Sequence, residues 1–387
     1  MSQAQMPNIN VPKIRYEYIW EDSANNYRSK IKVTTKQSPP IWSYDGSSTG
    51  QADTHDSERK LYPVNVIQSP FLSSDKLVYC FTNKMNYDNY VNKREDTYMY
   101  GFEQEGFLVD ASGQPVGCKD VNTVKQGTQY CNVGERELEV EYLTSVEKRA
   151  RAIGLNVTGW NLEVAPGQVE VQLCVVGSRT AAIGLHYLRY IMIRTAGAYG
   201  LKFNLNPKPF KNINGSGLHV NFSTYLMRIT SSEDVFNNFV RALMVTMKDT
   251  HNYIIPLTGE DNNLRLCGDC EASDAKEFSC GVGDRLASVR LPPPITDVEN
   301  RRYIEDRRWG SNADPFVITQ NFALWAQRSE KLAMHMDDID YVSGVSDVSD
   351  VSDADASDVL DVEEDNIQDR FPCEPIQRKT TIKQLGH

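Results

Sequence analysis

No stretch of this chain is apolar enough to cross a bilayer. The longest apolar run, Leu185–Ile193, is short and carries His186 and Arg189, whereas a membrane helix needs about 20 largely apolar residues. Met1–Lys13 has no apolar core, so no signal peptide is expected and the default location is cytoplasmic. Basic excess is also missing. The chain carries 41 Lys+Arg against 52 Asp+Glu, a net charge of −11. From Asp337 to His387 there are 14 acidic and 4 basic residues, a local −10, which leaves −1 for Met1–Met336. A body that close to neutral offers no electrostatic footprint for nucleic acid.

Paired cysteine motifs are scarce. The 8 cysteines are scattered, as in a reduced compartment, where the sequons at Asn156, Asn214 and Asn221 carry no meaning. Cys267-Gly-Asp-Cys270 has CxxC spacing and Cys280 is near, but the second CxxC of a structural zinc site is absent. Two incidental thiols are the simpler reading. No Walker A sequence and no GxGxxG occurs, so a bound nucleotide would have to be held by metal and arginines.

What is present is a mixed pattern over 387 residues, enough for two or three domains. Ile14–Trp20 and Ser29–Thr35 alternate and are rich in Ile, Tyr, Val and Thr, which predicts paired strands joined across Glu21–Arg28. Lys76–Phe81 is a third strand, and together they predict a small β-rich domain ending near residue 90. Beyond it, Glu135–Ile153, Thr180–Tyr199, Ser231–Lys248 and Pro315–Met334 have helical periodicity. Strands are expected at Tyr98–Val109, Gly159–Leu173, Gly217–Thr224 and Ser288–Leu291. The fold class is α+β, with helices covering one side of a largely antiparallel sheet. Asp337–Asp369 is acidic and of low complexity, with the repeat Val-Ser-Asp from Val345. This predicts disorder, either as a solvating tail or as a phosphorylatable or partner-binding one.

Four separated blocks could bring ligands to one metal site. They are Gly101-Phe102-Glu103-Gln104-Glu105, Asn161–Glu170, Gly215–Asn221 and Tyr303–Arg308. Three supply carboxylates and one supplies His219. In a strand, Glu103 and Glu105 point to one face. Two like charges on one buried face need a cation beside them, although a solvent-facing polar stripe reads the same. Pro166-Gly167 signals a turn. As the centre of a two-residue hairpin it would set Glu163 opposite Glu170, a repulsion that a divalent ion would reverse. Pro-Gly prefers a type II turn, which matches hairpin twist poorly, so the register stays open. His219, after the glycines of Asn214-Gly-Ser-Gly217, is either a core histidine or a ligand. Arg265, Arg285, Arg290, Arg307 and Arg308 suit phosphate and carboxylate binding, or are surface residues.

Taken together these blocks resemble glutamine synthetase, in the shorter type II form of eukaryotes. The resemblance runs in order from Tyr16 to Glu330. It is carried by Trp42–Gln51 (Trp-Ser-Tyr-Asp-Gly-Ser-Ser-Thr-Gly-Gln), Glu103-Gln-Glu105, Asn161–Gln172, Asn206-Pro-Lys-Pro209, Asn214–Thr224, Arg265-Leu-Cys-Gly268, Ala287–Pro292 and Tyr303–Arg308. It implies an ATP- and Mg2+-dependent (or Mn2+-dependent) ligation of ammonia to L-glutamate through a γ-glutamyl phosphate. It implies that Glu103, His219 and Glu305 hold one divalent ion and Glu105, Glu163 and Glu170 the other. Asn214, Gly215, Arg265, Arg285 and Arg307 would bind glutamate or the transferring phosphoryl group. Asn221, Ser223, Arg290 and Tyr303 would line the nucleotide site. Asp45 would bind ammonium and take its proton, and Glu271 would sit on a flap over glutamate.

The same resemblance implies a β-grasp-like domain over 14–92 after an extension at 1–13, a catalytic domain over 93–336, and an additional tail at 337–387. It implies a homo-oligomer of two stacked rings, a decamer, with active sites between subunits, so that Asp45 serves a neighbour. The sequence departs from the family's pattern at Cys270 (usually His), Asp284 (usually Asn), Trp309-Gly310 (usually Pro-Ala or Pro-Ser), Met99 (usually an aromatic) and in the Asp110–Tyr130 loop. None of these removes a metal ligand. The departures leave two alternatives: a ligase for a larger amine, and an inactive oligomeric homologue.

Overall fold

The computed structural model describes residues 13–92, 97–118, 120–124, 127–230, 232–269, 272–293 and 302–336. The acidic tail, the N-terminal extension and Glu271 with its neighbour Cys270 lie outside the described residues.

The first sheet has the order β2-β1-β5-β4-β3. Its strands are β1 (Ile14–Glu21), β2 (Tyr27–Thr34), β3 (Trp42–Asp45), β4 (Glu58–Gln68) and β5 (Asp75–Phe81). β1 runs parallel to β5, and the other pairs are antiparallel. Alternation gives each strand two different faces. One face buries Tyr16, Tyr18, Trp20, Tyr44, Leu61 and Val78. The sheet curls over this cluster until its edges nearly meet: Lys30 Nζ on β2 donates to the Ser43 carbonyl on β3 at 2.8 Å. The other face carries Ile19, Leu77 and Tyr79 against Ile183, Tyr187 and Tyr190 of a long helix. Here Tyr27 Oη lies 2.8 Å from His186 Nδ1, and Tyr79 stacks on the same imidazole at 4.5 Å.

Helix α1 (Lys84–Asn92) follows, and then the second sheet, ordered β11-β12-β13-β10-β6-β8-β7 with β9 also on β6. Its strands are β6 (Met99–Val109), β7 (Val157–Leu162), β8 (Gln168–Gly177), β9 (Lys202–Asn204), β10 (Leu218–Ser223), β11 (Cys280–Val282), β12 (Val289–Leu291) and β13 (Ile304–Asp306). Among these pairs only β11–β12 is parallel. The expected antiparallel character is present.

Helices α2 (Glu137–Ala152), α3 (Ser178–Ala198), α5 (Glu233–Asp249) and α7 (Pro315–Met336) build the large core with this sheet. The short helices α4 (Tyr225–Ile229) and α6 (His251–Ile254) flank α5. Tyr100, Phe102, Val169, Val171, Leu218, Val220, Phe222 and Ile304 are the core-facing residues of the strands. They occupy even positions on β6, β10 and β13 and odd positions on β8, so the alternate positions face away from the helices. Arg189 on α3 is buried and ties the layers. It donates to Gln104 Oε1 at 2.7 Å and to the carbonyls of Ala313 and Ser311 at 2.8 Å each. No helix among the described residues is long and apolar enough to cross a membrane.

The four long helices lie within two residues of their expected bounds. The hairpin register differs from the two-residue expectation. Asn161, not Glu163, stands opposite Glu170, because the chain turns over Glu163–Gly167, closed by Gln168 N to Ala165 O at 3.1 Å and Glu163 N to Gln168 O at 3.0 Å. Gly167 holds φ +69°, and a Cβ there would lie 2.5 Å from the Leu108 carbonyl. Only glycine fits that turn without displacing the backbone.

Candidate active site

The face turned away from the helices is lined with charge. Glu103 and Glu105 project from β6, His219 and Asn221 from β10, Glu170 and Gln172 from β8, Glu305 from β13 and Arg290 from β12. Strand register aligns them in rows. Glu103 stands opposite both His219 and Gln172, Asn221 and Arg290 stand opposite Glu305, and Glu105 stands opposite Glu170. A like-charge pair does face across the ladder, then, but it is Glu105 and Glu170 rather than Glu163 and Glu170.

A cavity of about 180 Å³ opens on this face. Its wall includes all six expected metal ligands, Glu103, Glu105, Glu163, Glu170, His219 and Glu305. It also includes Asn214, Gly215, Arg265, Arg285, Arg290 and Arg307. Asn221 is just behind, donating to Glu103 Oε1 at 2.9 Å. Ser223 sits at the far end of β10, and Tyr303 immediately precedes β13. Asp45 is not part of the wall. It is exposed on the N-terminal sheet, where Ser48, then Ser47, hydrogen-bond its carboxylate and hold it at about 2.

His219 is the hub of the site. Its Nδ1 lies 3.1 Å from Glu103 Oε2 and 3.5 Å from Glu305 Oε1, and its Nε2 lies 3.7 Å from Glu105 Oε1. Ligand atoms of Glu103, Glu170 and His219 all lie within 4.8 Å of one another. Burial raises the cost of a charge on Glu103, but the hydrogen bond and charge of His219, with Asn221, outweigh it and hold Glu103 at about 2. Glu170 accepts a hydrogen bond from Gln172, but the charges around it are carboxylates. Burial first, then Glu105, Glu103 and Glu163, push it up to about 9. Buried carboxylates that converge with so little neutralisation suit a hard divalent cation with oxygen ligands and one imidazole. The residues fit a metal on this donor set.

The arginines are engaged as well. Arg307 Nη1 is 2.7 Å from Glu305 Oε1, and Arg290 Nη1 is 2.6 Å from Glu305 Oε2. Arg265 donates to Asn262 Oδ1 and to the carbonyls of Arg307 and Trp309 at 2.8–2.9 Å. Burial lowers its pKa to about 10. Arg308 is not in the wall. It is fully buried, paired with Asp306 at 2.8 Å and flanked by the rings of Phe278 and Trp325. Trp309, a departure noted in the sequence, is also fully buried and donates to Asp306 Oδ2 at 3.1 Å.

Several side chains in or beside the cavity escaped the sequence reading. Gln172 donates to Glu170 Oε1 at 2.7 Å and Asn161 to Glu163 Oε1 at 2.8 Å, and the two carboxamides are joined at 3.3 Å. Gln168 reaches Glu105 Oε2 at 3.1 Å and the Gly215 carbonyl at 3.0 Å. Period two along Gln168, Glu170 and Gln172 was the available signal. Lys208 and Tyr130 also line the cavity, and no local pattern marks them.

Fold and face together define an α+β protein with a carboxylate–histidine cluster, a candidate cation site, beside arginines. Comparison with known proteins narrows the class. The family model for the glutamine synthetase catalytic domain matches residues 85–322. A glutamine synthetase of Hebeloma cylindrosporum is 36% identical over 328 residues, covering 79% of this chain and 91% of its own length. A probable glutamine synthetase of Caenorhabditis elegans is 37% identical over 339 residues, with 80% and 91% covered. The chain belongs to the glutamine synthetase family. A solved structure of Plasmodium falciparum glutamine synthetase shares the fold, with a TM-score of 0.64 at 16% identity over 83% of this chain and 72% of that one.

Proposed function

We propose that this chain joins ammonia to the γ-carboxylate of L-glutamate at the expense of ATP, as a glutamate–ammonia ligase. The observation that carries the reading is the single cavity whose wall brings five carboxylates and His219 together with four arginines. Glu103, His219 and Glu305 would hold one divalent ion, Mg2+ or Mn2+, and Glu105, Glu163 and Glu170 a second. Bound there, such ions neutralise phosphate oxygens and orient a carboxylate.

The protein's own groups account for the rest. A glutamate carboxylate is a poor electrophile, and transfer of the ATP γ-phosphoryl group converts it to an acyl phosphate with release of ADP. Charge spreads over the phosphoryl oxygens during transfer, and the guanidiniums of Arg285 and Arg307, which line the cavity, would meet it. Arg265 holds the Arg307 and Trp309 carbonyls, so it braces the segment carrying Arg307 as well as lining the cavity. Asn214 and Gly215 would bind glutamate. Asn221, Ser223, Arg290 and Tyr303 would border the nucleotide. Ammonia then attacks the acyl carbon and phosphate leaves. The attacking nitrogen must be neutral, so a carboxylate has to attract ammonium and accept its proton. Asp45 is ionised and exposed on the other sheet, which suits service to a neighbouring subunit's cavity. Glu271 would close over glutamate and keep water from the acyl phosphate.

On this reading residues 14–92 form the β-grasp-like domain and 93–336 the catalytic domain. The assembly is a pair of stacked rings, and the setting is cytoplasmic. A fully active monomer would refute the shared site. The first test is glutamine and ADP production from glutamate, ATP, Mg2+ and ammonium, with Glu305→Ala as control. Product from the parent alone supports the ligase and its metal site together. ADP without glutamine means that the intermediate forms and meets water. No ADP from a folded oligomer overturns the reading.

A further inference from the structure

Behind the face that carries the carboxylates, one buried arginine grips the turn that presents them. Arg136 immediately precedes α2 and is 4% exposed. Its Nη1 donates to the Glu163 carbonyl at 3.0 Å and to the Gln129 carbonyl at 3.3 Å. Its Nη2 donates to the Gln168 carbonyl at 2.8 Å, and its Nε to Glu139 Oε1 at 2.9 Å. Glu163 and Gln168 are the two ends of the turn joining β7 to β8. One end bears the Glu163 carboxylate. The other bears the Gln168 side chain, bonded to Glu105, and two residues on, Glu170. Arg136 is absent from the cavity wall, so it touches no reacting atom.

We propose that Arg136 is a positioning residue for the metal site, fixing the spacing of Glu163 and Glu170 by spanning both ends of their turn. This rests on the metal reading above. A planar guanidinium presents its donors in a fixed fork, and here that fork bridges two carbonyls of one turn and a third from the Gln129 segment. Lysine would keep the charge opposite Glu139, but a single ammonium on a flexible stem cannot reproduce the fork. Glu139 is itself buried, at 3% exposure. Its carboxylate neutralises Arg136 and holds the guanidinium in the plane that the turn requires. Glu163 lies in the turn rather than in the ladder that sets Glu105 opposite Glu170, so strand pairing does not fix its distance from Glu170, and a restraint from behind does. The second turn end is the more telling contact. The Gln168 carbonyl also accepts Glu163 N at 3.0 Å, so Arg136 reinforces the backbone bond that joins the two ends of the turn.

The test is Mn2+ binding to the full-length protein, followed by electron paramagnetic resonance without nucleotide, in the parent, Arg136→Lys, Glu139→Gln and Tyr142→Phe. The last variant removes a buried hydrogen bond from Tyr142, on the helix that Arg136 precedes, to the Met192 carbonyl of α3 at 2.9 Å, and it controls for loss of stability alone. Partners lying behind metal ligands are worth about 10- to 100-fold in metal affinity. Arg136→Lys should lose Mn2+ affinity in that range, Glu139→Gln should lose less, and Tyr142→Phe should match the parent. Arg136→Lys binding Mn2+ like the parent overturns the proposal. If Arg136→Lys does not fold, Glu139→Gln decides: weakened binding supports the proposal and parent-like binding overturns it. Equal weakening in Tyr142→Phe also overturns it, since stability alone would then explain the loss. A parent that binds no Mn2+ removes the metal reading itself, and the positioning role falls with it.

Discussion

Replacing Glu170 with glutamine should change sign with the metal. Glu105 and Glu170 face each other across β6 and β8 with 7% and 5% exposure. Burial and three neighbouring carboxylates raise Glu170 from 4.5 to about 9. In the metal-free protein the folded chain keeps this proton while the unfolded chain releases it above 4.5. The folded state therefore binds more protons through that window, and its stability falls as pH rises. At about 1.4 kcal/mol per pH unit, the cost is under about 1 kcal/mol at pH 5 and about 3 kcal/mol at pH 7. Glutamine has no proton to lose and keeps an oxygen for Gln172. Without metal, then, Glu170→Gln should be more stable than the parent by about 1–3 kcal/mol at pH 7, with the gap closing toward pH 5. With Mn2+ at about 100 times its Kd, the parent gains about 2.7 kcal/mol that a variant lacking this ligand does not. Denaturant unfolding at pH 5, 7 and 8, with chelator and with Mn2+, measures both terms. A Glu170→Gln chain that is less stable than the parent in chelator at pH 8 would refute the reasoning, because the carboxylates would then have a neutralising partner already.

Three further outcomes follow from the same geometry. Arg308→Met leaves the buried carboxylate of Asp306 without its ion partner, so unfolding free energy should drop by about 3–5 kcal/mol, read by denaturant titration; a drop within error would mean that Trp309 and the residue 308 amide satisfy Asp306 without the guanidinium. Asn161→Ala removes the donor that orients Glu163, and the Mg2+ requirement should rise by about 10-fold with kcat at saturating metal largely kept; an unchanged Mg2+ dependence would show that Glu163 needs no orienting partner. Asp45→Asn should raise the KM for ammonium while leaving those for glutamate and ATP unchanged, and an equal rise in all three would remove Asp45 from ammonium binding.

Much of the catalytic half was legible because its signals are local. Helices α2, α3, α5 and α7 each carry an apolar stripe long enough to declare a period of 3.6. β6 and β10 alternate cleanly, and one face of each is the site. The elements that went unread lack such a signal. β4 contains Pro63, and its pairing with β5 shifts register between Pro63 and Asn65, which blurs the alternation. β3 and β13 are four and three residues long, too short for a period to show. The carboxylates and the histidine of the cavity wall were legible as candidate ligands from their four blocks, and the family resemblance sorted them into two sets. Arg136, Gln168 and the Asn161–Gln172 pair were not, because their roles depend on which carbonyl or carboxylate lies across the turn, and that is fixed only when the strands pair.

The hairpin register shows how closely site and core depend on each other. Between β6 and β8 the pairing shifts by one residue, from Tyr100 opposite Val176 to Phe102 opposite Leu173. Carried on without that irregularity, the first register would set Glu105 opposite Val171 and turn Glu170 into the apolar core. A one-residue slip moves every side chain of a strand to the other face, and burying an unpaired carboxylate there costs several kcal/mol. Val169, Val171 and Leu173 on the helix side thus select the register that delivers Gln168, Glu170 and Gln172 to the cavity. The expected Glu163–Glu170 repulsion was correct in kind but misplaced by one strand. The turn is longer than the two residues of Pro166-Gly167, so Glu163 leaves the ladder and becomes a loop carboxylate. Its position must then be set by hydrogen bonds rather than by strand pairing, and those bonds come from Asn161, the Val164 amide and Arg136. Of the six expected ligands, Glu163 should therefore be the one whose placement is most sensitive to substitutions outside the cavity.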